Sequence, residues 1–109
     1  MIINFESIEE KIENNFKGGE GPVAIRAFNN ELGKIMRIRL EKGSVIGYHK
    51  HETNSEIMYV VSGTATVLYD DGKETAKAGE VTYCPKGHSH SLINEHDEPL
   101  VVFAVVAEQ

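Results

Sequence analysis

Gly43-Ser44-Val45-Ile46-Gly47-Tyr48-His49-Lys50-His51 is the stretch from which the rest of the chain is read. Strand side chains alternate between the two faces of a sheet, so residues two apart share a face. His49 and His51 are therefore expected to point the same way, together with Val45 and Gly47. Ile46, Tyr48 and Lys50 take the other face, and Tyr48 reads as a core residue. The polar turn Glu52-Thr53-Asn54-Ser55 then brings Glu56 back opposite the two histidines. Two imidazoles and a carboxylate on adjacent strands form a corner suited to Fe(II), Mn(II), Ni(II), Co(II) or Zn(II). His90 supplies a third imidazole if its strand lies beside the first. On an octahedral ion these four ligands leave positions open for water, substrate or dioxygen; on a tetrahedral ion they close the site.

Outward from this stretch the chain reads as short strands. Val23–Phe28, Lys34–Leu40, Val45–His51, Glu56–Val61, Thr64–Tyr69, Glu74–Lys77, Val81–Cys84, His90–Asn94 and Leu100–Val106 are runs rich in β-branched and aromatic residues. Turn chemistry divides them, with Asp71-Gly72 the clearest hairpin signal. This spacing predicts a sandwich or barrel. Ile57, Tyr59 and Val61 are apolar on the face opposite Glu56, Met58 and Val60, so a second sheet, the N-terminal segment or another subunit is expected to cover them. Residues 2–5 suggest an edge strand. Ser7–Phe16 reads as one short helix: Ser7 and Glu10 match a capping box, and Ile8, Ile12 and Phe16 recur every four residues.

A length of 109 residues fits one domain, with an N-terminal segment at 1–22 and a barrel at 23–109. The net charge of −6 argues against nucleic acid and against anionic membrane surfaces. The single cysteine, Cys84, excludes an internal disulfide and reads as a small buried hydrophobe rather than a nucleophile. No basic, apolar leader precedes residue 7 and no apolar run is long enough to span a bilayer, so a cytoplasmic protein is expected.

The glycine and proline frame around the histidines carries a resemblance. Gly43, His49, His51, Glu56 and Gly63 match, at every spacing, the first motif of the cupin family. Gly79, Pro85, Gly87, His90 and Asn94 match its second motif, fifteen residues further on. The chain therefore resembles a small cupin with one barrel. The resemblance implies an all-β antiparallel jelly-roll barrel, one divalent metal ion held by His49, His51, Glu56 and His90, and a homodimer. It licenses no single activity, because cupins include dioxygenases, decarboxylases, isomerases, lyases and proteins that only bind ligands. A metal-dependent enzyme acting on a small organic molecule is one expectation; a non-catalytic binding or sensing module is the alternative. Met58 and Leu92 share parity with the ligands, and Met36 and Ile38 are within reach, which gives an apolar lining for a small-molecule ligand. Arg37 and Arg39, on one strand face, are the candidates for an anionic substrate group, with Arg26 behind them. His88 reads as a rim or supporting residue, and Asn94 as a structural hydrogen-bonding residue.

Overall fold

The computed structural model describes residues 1–109. Ten strands form two antiparallel sheets. They are β1 (Lys11–Asn14), β2 (Pro22–Asn30), β3 (Gly33–Leu40), β4 (Val45–Lys50), β5 (Asn54–Ser62), β6 (Thr64–Tyr69), β7 (Gly72–Lys77), β8 (Val81–Cys84), β9 (Ser89–Ile93) and β10 (Leu100–Glu108). One sheet has the order β1-β2-β3-β10-β5-β8 and the other β4-β9-β6-β7. The sheets face each other as the two halves of a flattened jelly-roll barrel.

Alternation sets what lies between them. Along β10, Leu100, Val102 and Ala104 are fully buried and Val106 nearly so, while Val101, Phe103 and Val105 turn outward. Leu40, Ile38, Met58, Val60 and Leu92 complete the centre of the core at no more than 1% exposure. Truncating any one of these to Ala would cost about 2–5 kcal/mol, because a packed interior refills such a void only partly. Gly63 carries the chain from one sheet to the other. Its φ is +84°, and a Cβ there would sit 2.5 Å from the Pro99 carbonyl oxygen, so only glycine fits. The other motif glycines, Gly43, Gly79 and Gly87, also stand at turns with positive φ. Asn94 is fully buried. Its amide donates to the Leu40 and Glu98 carbonyls, and its oxygen accepts from the His96 backbone. It ties the end of β9 to two neighbouring turns.

The N-terminal segment departs from expectation. There is no helix over Ser7–Phe16 and no strand at 2–5. Phe5–Ser7 is a single 3-10 turn capped by the Asn4 side chain, and Lys11–Asn14 pairs with Pro22–Ile25 as an edge strand. The physical reason is competition. A ten-residue helix is marginal by itself, whereas an extended chain here pairs with the open edge of β2. Glu10, read as a helix-capping acid, instead bridges Arg26 and Arg39 across the sheet. No helix in the chain is long and apolar enough to cross a membrane.

The β6–β7 hairpin turns at Asp70-Asp71, one residue earlier than Asp71-Gly72. Gly72 already pairs with Tyr69, and Asp70 takes the left-handed conformation at φ +47°. Ile57, Tyr59, Val61, Val81, Tyr83 and Phe103 are left 36–57% exposed on the outer face of the larger sheet. From within the chain, Phe5 packs edge-on against Phe103.

Candidate metal centre

β4, β5 and β9 bring His49, His51, Glu56 and His90 together. Their ligand atoms all lie within 4.8 Å of one another. The three imidazole rings are nearly equidistant, with centroids 4.8–4.9 Å apart. Glu56 Oε1 lies 3.0 Å from His90 Nε2 and 3.3 Å from His51 Nε2, and the two histidine nitrogens are 2.9 Å apart.

The alternation that predicted this pairing holds only in part, because β4 carries a bulge. Ile46 pairs with Leu92 and His49 pairs with His90, so three steps on β4 match two on β9. The extra residue turns Ile46 to the inner face along with the histidines, contrary to strict parity. Tyr48 is not in the core. It is half exposed and donates to the Asp70 carbonyl.

Backbone contacts fasten His90 to His51. The Gly87 N–H donates to the His51 carbonyl, and the His51 N–H donates to the His88 carbonyl. The Pro85–His88 corner is thereby docked on the strand that carries the first two histidines. His88 itself faces away from the cluster, bonded through Nδ1 to Asp70 Oδ2 at 2.6 Å and stacked on Tyr69.

Tautomers follow from partners. His49 Nδ1–H donates to the Gly47 carbonyl at 2.7 Å, and a carbonyl can only accept. His51 Nδ1–H donates to Asn54 Oδ1. The orientation of the Asn54 amide is fixed in turn, since its nitrogen donates to Glu108 Oε2 at 2.7 Å. In their neutral forms both histidines thus keep Nε2 as a lone pair. The His51 lone pair faces His90 Nε2 and the Glu56 carboxylate, an arrangement that repels itself unless a proton or a cation lies among the atoms. Donors bound cis to one first-row metal at about 2.0–2.2 Å stand about 3 Å apart, so the spacing fits an ion.

The electrostatics of the metal-free cluster show the same demand for positive charge. Burial alone would raise the Glu56 carboxyl, but hydrogen bonds from His51 and His90 outweigh it and bring it down to about 2. His51 is raised, chiefly by its bond to Glu56, against the opposing effects of burial and of the more distant Lys17 charge. His49 is lowered, mainly by burial. Cys84, fully buried, is pushed up to about 11 by burial and the nearby Glu56 charge, which keeps it a protonated thiol.

The cluster opens into a cavity of about 270 Å³. Met36, Ile38 and Met58 line it as expected, joined by Ile46, Phe16 and Val106. Leu92 lies deeper in the core and does not reach the cavity. Arg37 and Arg39 do not reach it either. Met36, Ile38 and Leu40 turn inward on β3, so the arginines between them face out, where Arg37 bonds Glu6 at 2.6 Å and Arg39 bonds Glu10 at 3.3 Å. Arg26 holds the carbonyls of Phe5 and Ile8. The three arginines strap the N-terminal segment onto the sheet. The cations at the cavity are Lys17, Lys34 and Lys50. Nothing in the local sequence distinguished them or the Asn54–Glu108 pair, since each reaches the site only through long-range packing.

The family model for the cupin domain matches residues 36–106. The chain belongs to the cupin family. It is 34% identical over 113 aligned positions to the oxalate-binding protein of Thermotoga maritima, covering 97% of this chain and 93% of the relative. Among solved structures, a predicted oxalate decarboxylase from Thermotoga maritima superposes with a TM-score of 0.93 at 28% identity over the full length of both chains. A cupin-superfamily sugar phosphate isomerase from Silicibacter pomeroyi shares the fold, with a TM-score of 0.79 and 19% identity over all of this chain and 76% of the other.

Proposed function

We propose that this cupin binds one divalent transition-metal ion (Fe, Mn, Ni, Co or Zn) through His49, His51, Glu56 and His90, and uses it to hold a small dicarboxylate such as oxalate. The observation that carries the reading is the convergence of three imidazoles and one carboxylate, three of the four lining an open cavity. The likeness to the oxalate-binding protein of Thermotoga maritima supports the choice of ligand. The cavity, at about 270 Å³, lies at the small end of ligand pockets and suits a molecule of a few heavy atoms. When bound, the ion supplies Lewis-acid attraction for carboxylate oxygens. The chain supplies the rest: Asn54 and the Gly47 carbonyl hold two imidazoles in the ligating tautomer, and Met36, Ile38 and Met58 keep water from the inner wall.

A second reading, turnover of the bound ligand, has one observation in its favour. Glu52 shares the cavity with the cluster and is a carboxyl group outside the ligand set, available to carry a proton.

The test is elemental analysis of purified protein, followed by calorimetric titration of metal-loaded protein with oxalate and assay of the mixture for carbon dioxide and formate. Stoichiometric metal, oxalate binding and intact recovered oxalate establish a binding protein; product formation establishes the enzyme. The reading fails if the chain takes up no metal, or if His51→Ala retains wild-type occupancy.

A further inference from the structure

Three lysines line the cavity from three separate elements: Lys17 in the turn after β1, Lys34 on β3, and Lys50 on β4, where it alternates with His49 and His51. None of them forms an ion pair, a condition shared by Lys11, Lys77 and Lys86, whereas Arg26, Arg37, Arg39, Lys42 and Lys73 all do. In a chain with 17 acidic and 11 basic residues, half of the six unpaired cations stand at this one opening. Glu52 is the one acidic side chain at the cavity outside the metal cluster. With Glu56 bound to a divalent ion, the cavity as a whole retains a surplus of positive charge.

Lys17 is placed by a backbone that would not relax there unaided. Asn15 and Lys17 both adopt the left-handed conformation, at φ +56°, which asparagine tolerates and lysine rarely takes. The surrounding contacts impose it. Glu20 and Val45 exchange two backbone hydrogen bonds, at 3.1 and 2.7 Å, and the Asn15 N–H donates to the Gly21 carbonyl. Gly47 lies so close that a Cβ there would meet the Lys17 carbonyl oxygen at 2.1 Å, and a Cβ on Gly19 would meet the Val45 oxygen at 1.9 Å. Phe16 inserts against the core, and the Lys17 ammonium stands 5.5 Å from the centre of its ring. Strained backbone held by its surroundings is characteristic of ligand clamps.

We propose that Lys17, with Lys34 and Lys50, forms an anion-recognition rim that selects a doubly charged ligand at the cavity, an inference that rests on the metal-and-dicarboxylate reading above. The metal end of the site holds one pair of oxygens, and the rim neutralises the charge left facing the opening. Selection then follows ligand charge rather than shape.

Oxalate, oxamate and oxamide form a series of nearly equal size carrying two, one and no negative charges. Each is titrated calorimetrically into metal-loaded wild type, Lys17→Met, the variant with Lys17, Lys34 and Lys50 all changed to Met, and Lys77→Met as a remote control. The expected result is a preference for oxalate over oxamide in wild type and Lys77→Met. Lys17→Met should weaken oxalate binding about 10-fold and the triple variant more, with oxamide affinity, metal content and melting temperature unchanged. Equal oxalate affinity in wild type and the triple variant overturns the rim while leaving the metal-and-dicarboxylate reading intact. Should wild type bind none of the series, malonate and succinate separate the remaining cases. Lysine-dependent binding of either keeps the rim and removes oxalate, whereas no binding of any dianion removes both.

Discussion

His51 Nε2 and His90 Nε2 stand 2.9 Å apart although 39 residues separate them in the chain, and the Asn54 contact leaves the first with its lone pair facing the second. A cation between them relieves a repulsion that the fold otherwise has to hold. Ion binding to the folded state alone stabilises it by mass action, about 2.7 kcal/mol at a hundredfold excess over Kd. For a domain of this size that is a rise in melting temperature on the order of 10 °C. Thermal melts of metal-loaded protein with and without a chelator check this; coincident curves would show that no ion occupies the cluster.

With the proposed ion bound, Asn54 would act on it through His51. Glu108 fixes the amide, and the amide fixes the imidazole. Asn54→Leu should lower metal affinity about 10- to 100-fold, the range found when partners of ligating histidines are removed. Glu108→Gln should cost less, because that carboxylate is exposed and water can replace it. Competitive titration against a chromogenic chelator measures both.

The pH profile of stability should differ between the metal-loaded and metal-free protein. Glu56, depressed to about 2, contributes stability above its ordinary value of 4.5 and loses it as pH falls towards 2. His51, raised above 6.5, contributes fully below 6.5 and loses that contribution as pH climbs through its folded value. His49, lowered by burial, subtracts on the acid side of 6.5. The His51 and His49 contributions oppose each other across pH 6.5, so the metal-free protein's expected response from this site is a loss of stability as pH falls from 4.5 towards 2. Ligation requires neutral imidazoles, so the loaded protein should gain stability into mildly alkaline pH. Melting temperatures across pH 3–9, with Glu56→Gln as reference, test this; superimposable loaded and metal-free profiles would rule out ligation by these groups.

Gly47→Ala should disturb both stability and the cavity. The added methyl would meet backbone rather than a yielding side chain, with Gly19 N at 2.6 Å beyond the Lys17 oxygen. A cost of about 1–3 kcal/mol is expected from overpacking, with the Lys17 turn displaced from β4. Chemical denaturation gives the first quantity, and amide exchange at residues 15–20 reports the second.

The apolar outer face predicts self-association. Ile57, Tyr59, Val61, Val81, Tyr83 and Phe103 form an uncharged surface on a chain of net charge −6, and β8 is an open sheet edge beside it. A two-fold dimer sets like against like, so two acidic copies meet best on a neutral face. Light scattering should give twice the 12.1 kDa chain mass, and Tyr83→Glu should shift it towards monomer. A monomeric wild type at high concentration would count against this face.

Nine of the ten strands could be read from local pattern, because alternation and turn residues act within a few positions. β10 shows this, with Leu100, Val102 and Ala104 inward as period two requires. Three of the four clustered residues were legible from strand alternation, and the resemblance of the glycine, histidine and proline spacing to the cupin motifs added His90. The N-terminal segment was misread for the converse reason. Its four-residue repeat is a local signal, and pairing with the β2 edge, settled by residues 22–25, prevailed.

By itself the sequence determined a β sandwich or barrel and the shared face of His49 and His51 with Glu56 returning opposite them; the family resemblance added His90. Only the tertiary structure decided that a bulge turns Ile46 inward, that Arg37 and Arg39 face away while Lys17, Lys34 and Lys50 reach the cavity, and that Asn54 and Glu108 orient a histidine. The division is one of range. Side-chain alternation is written into neighbouring residues, whereas register, bulges and the docking of a strap depend on pairing between segments far apart in the chain.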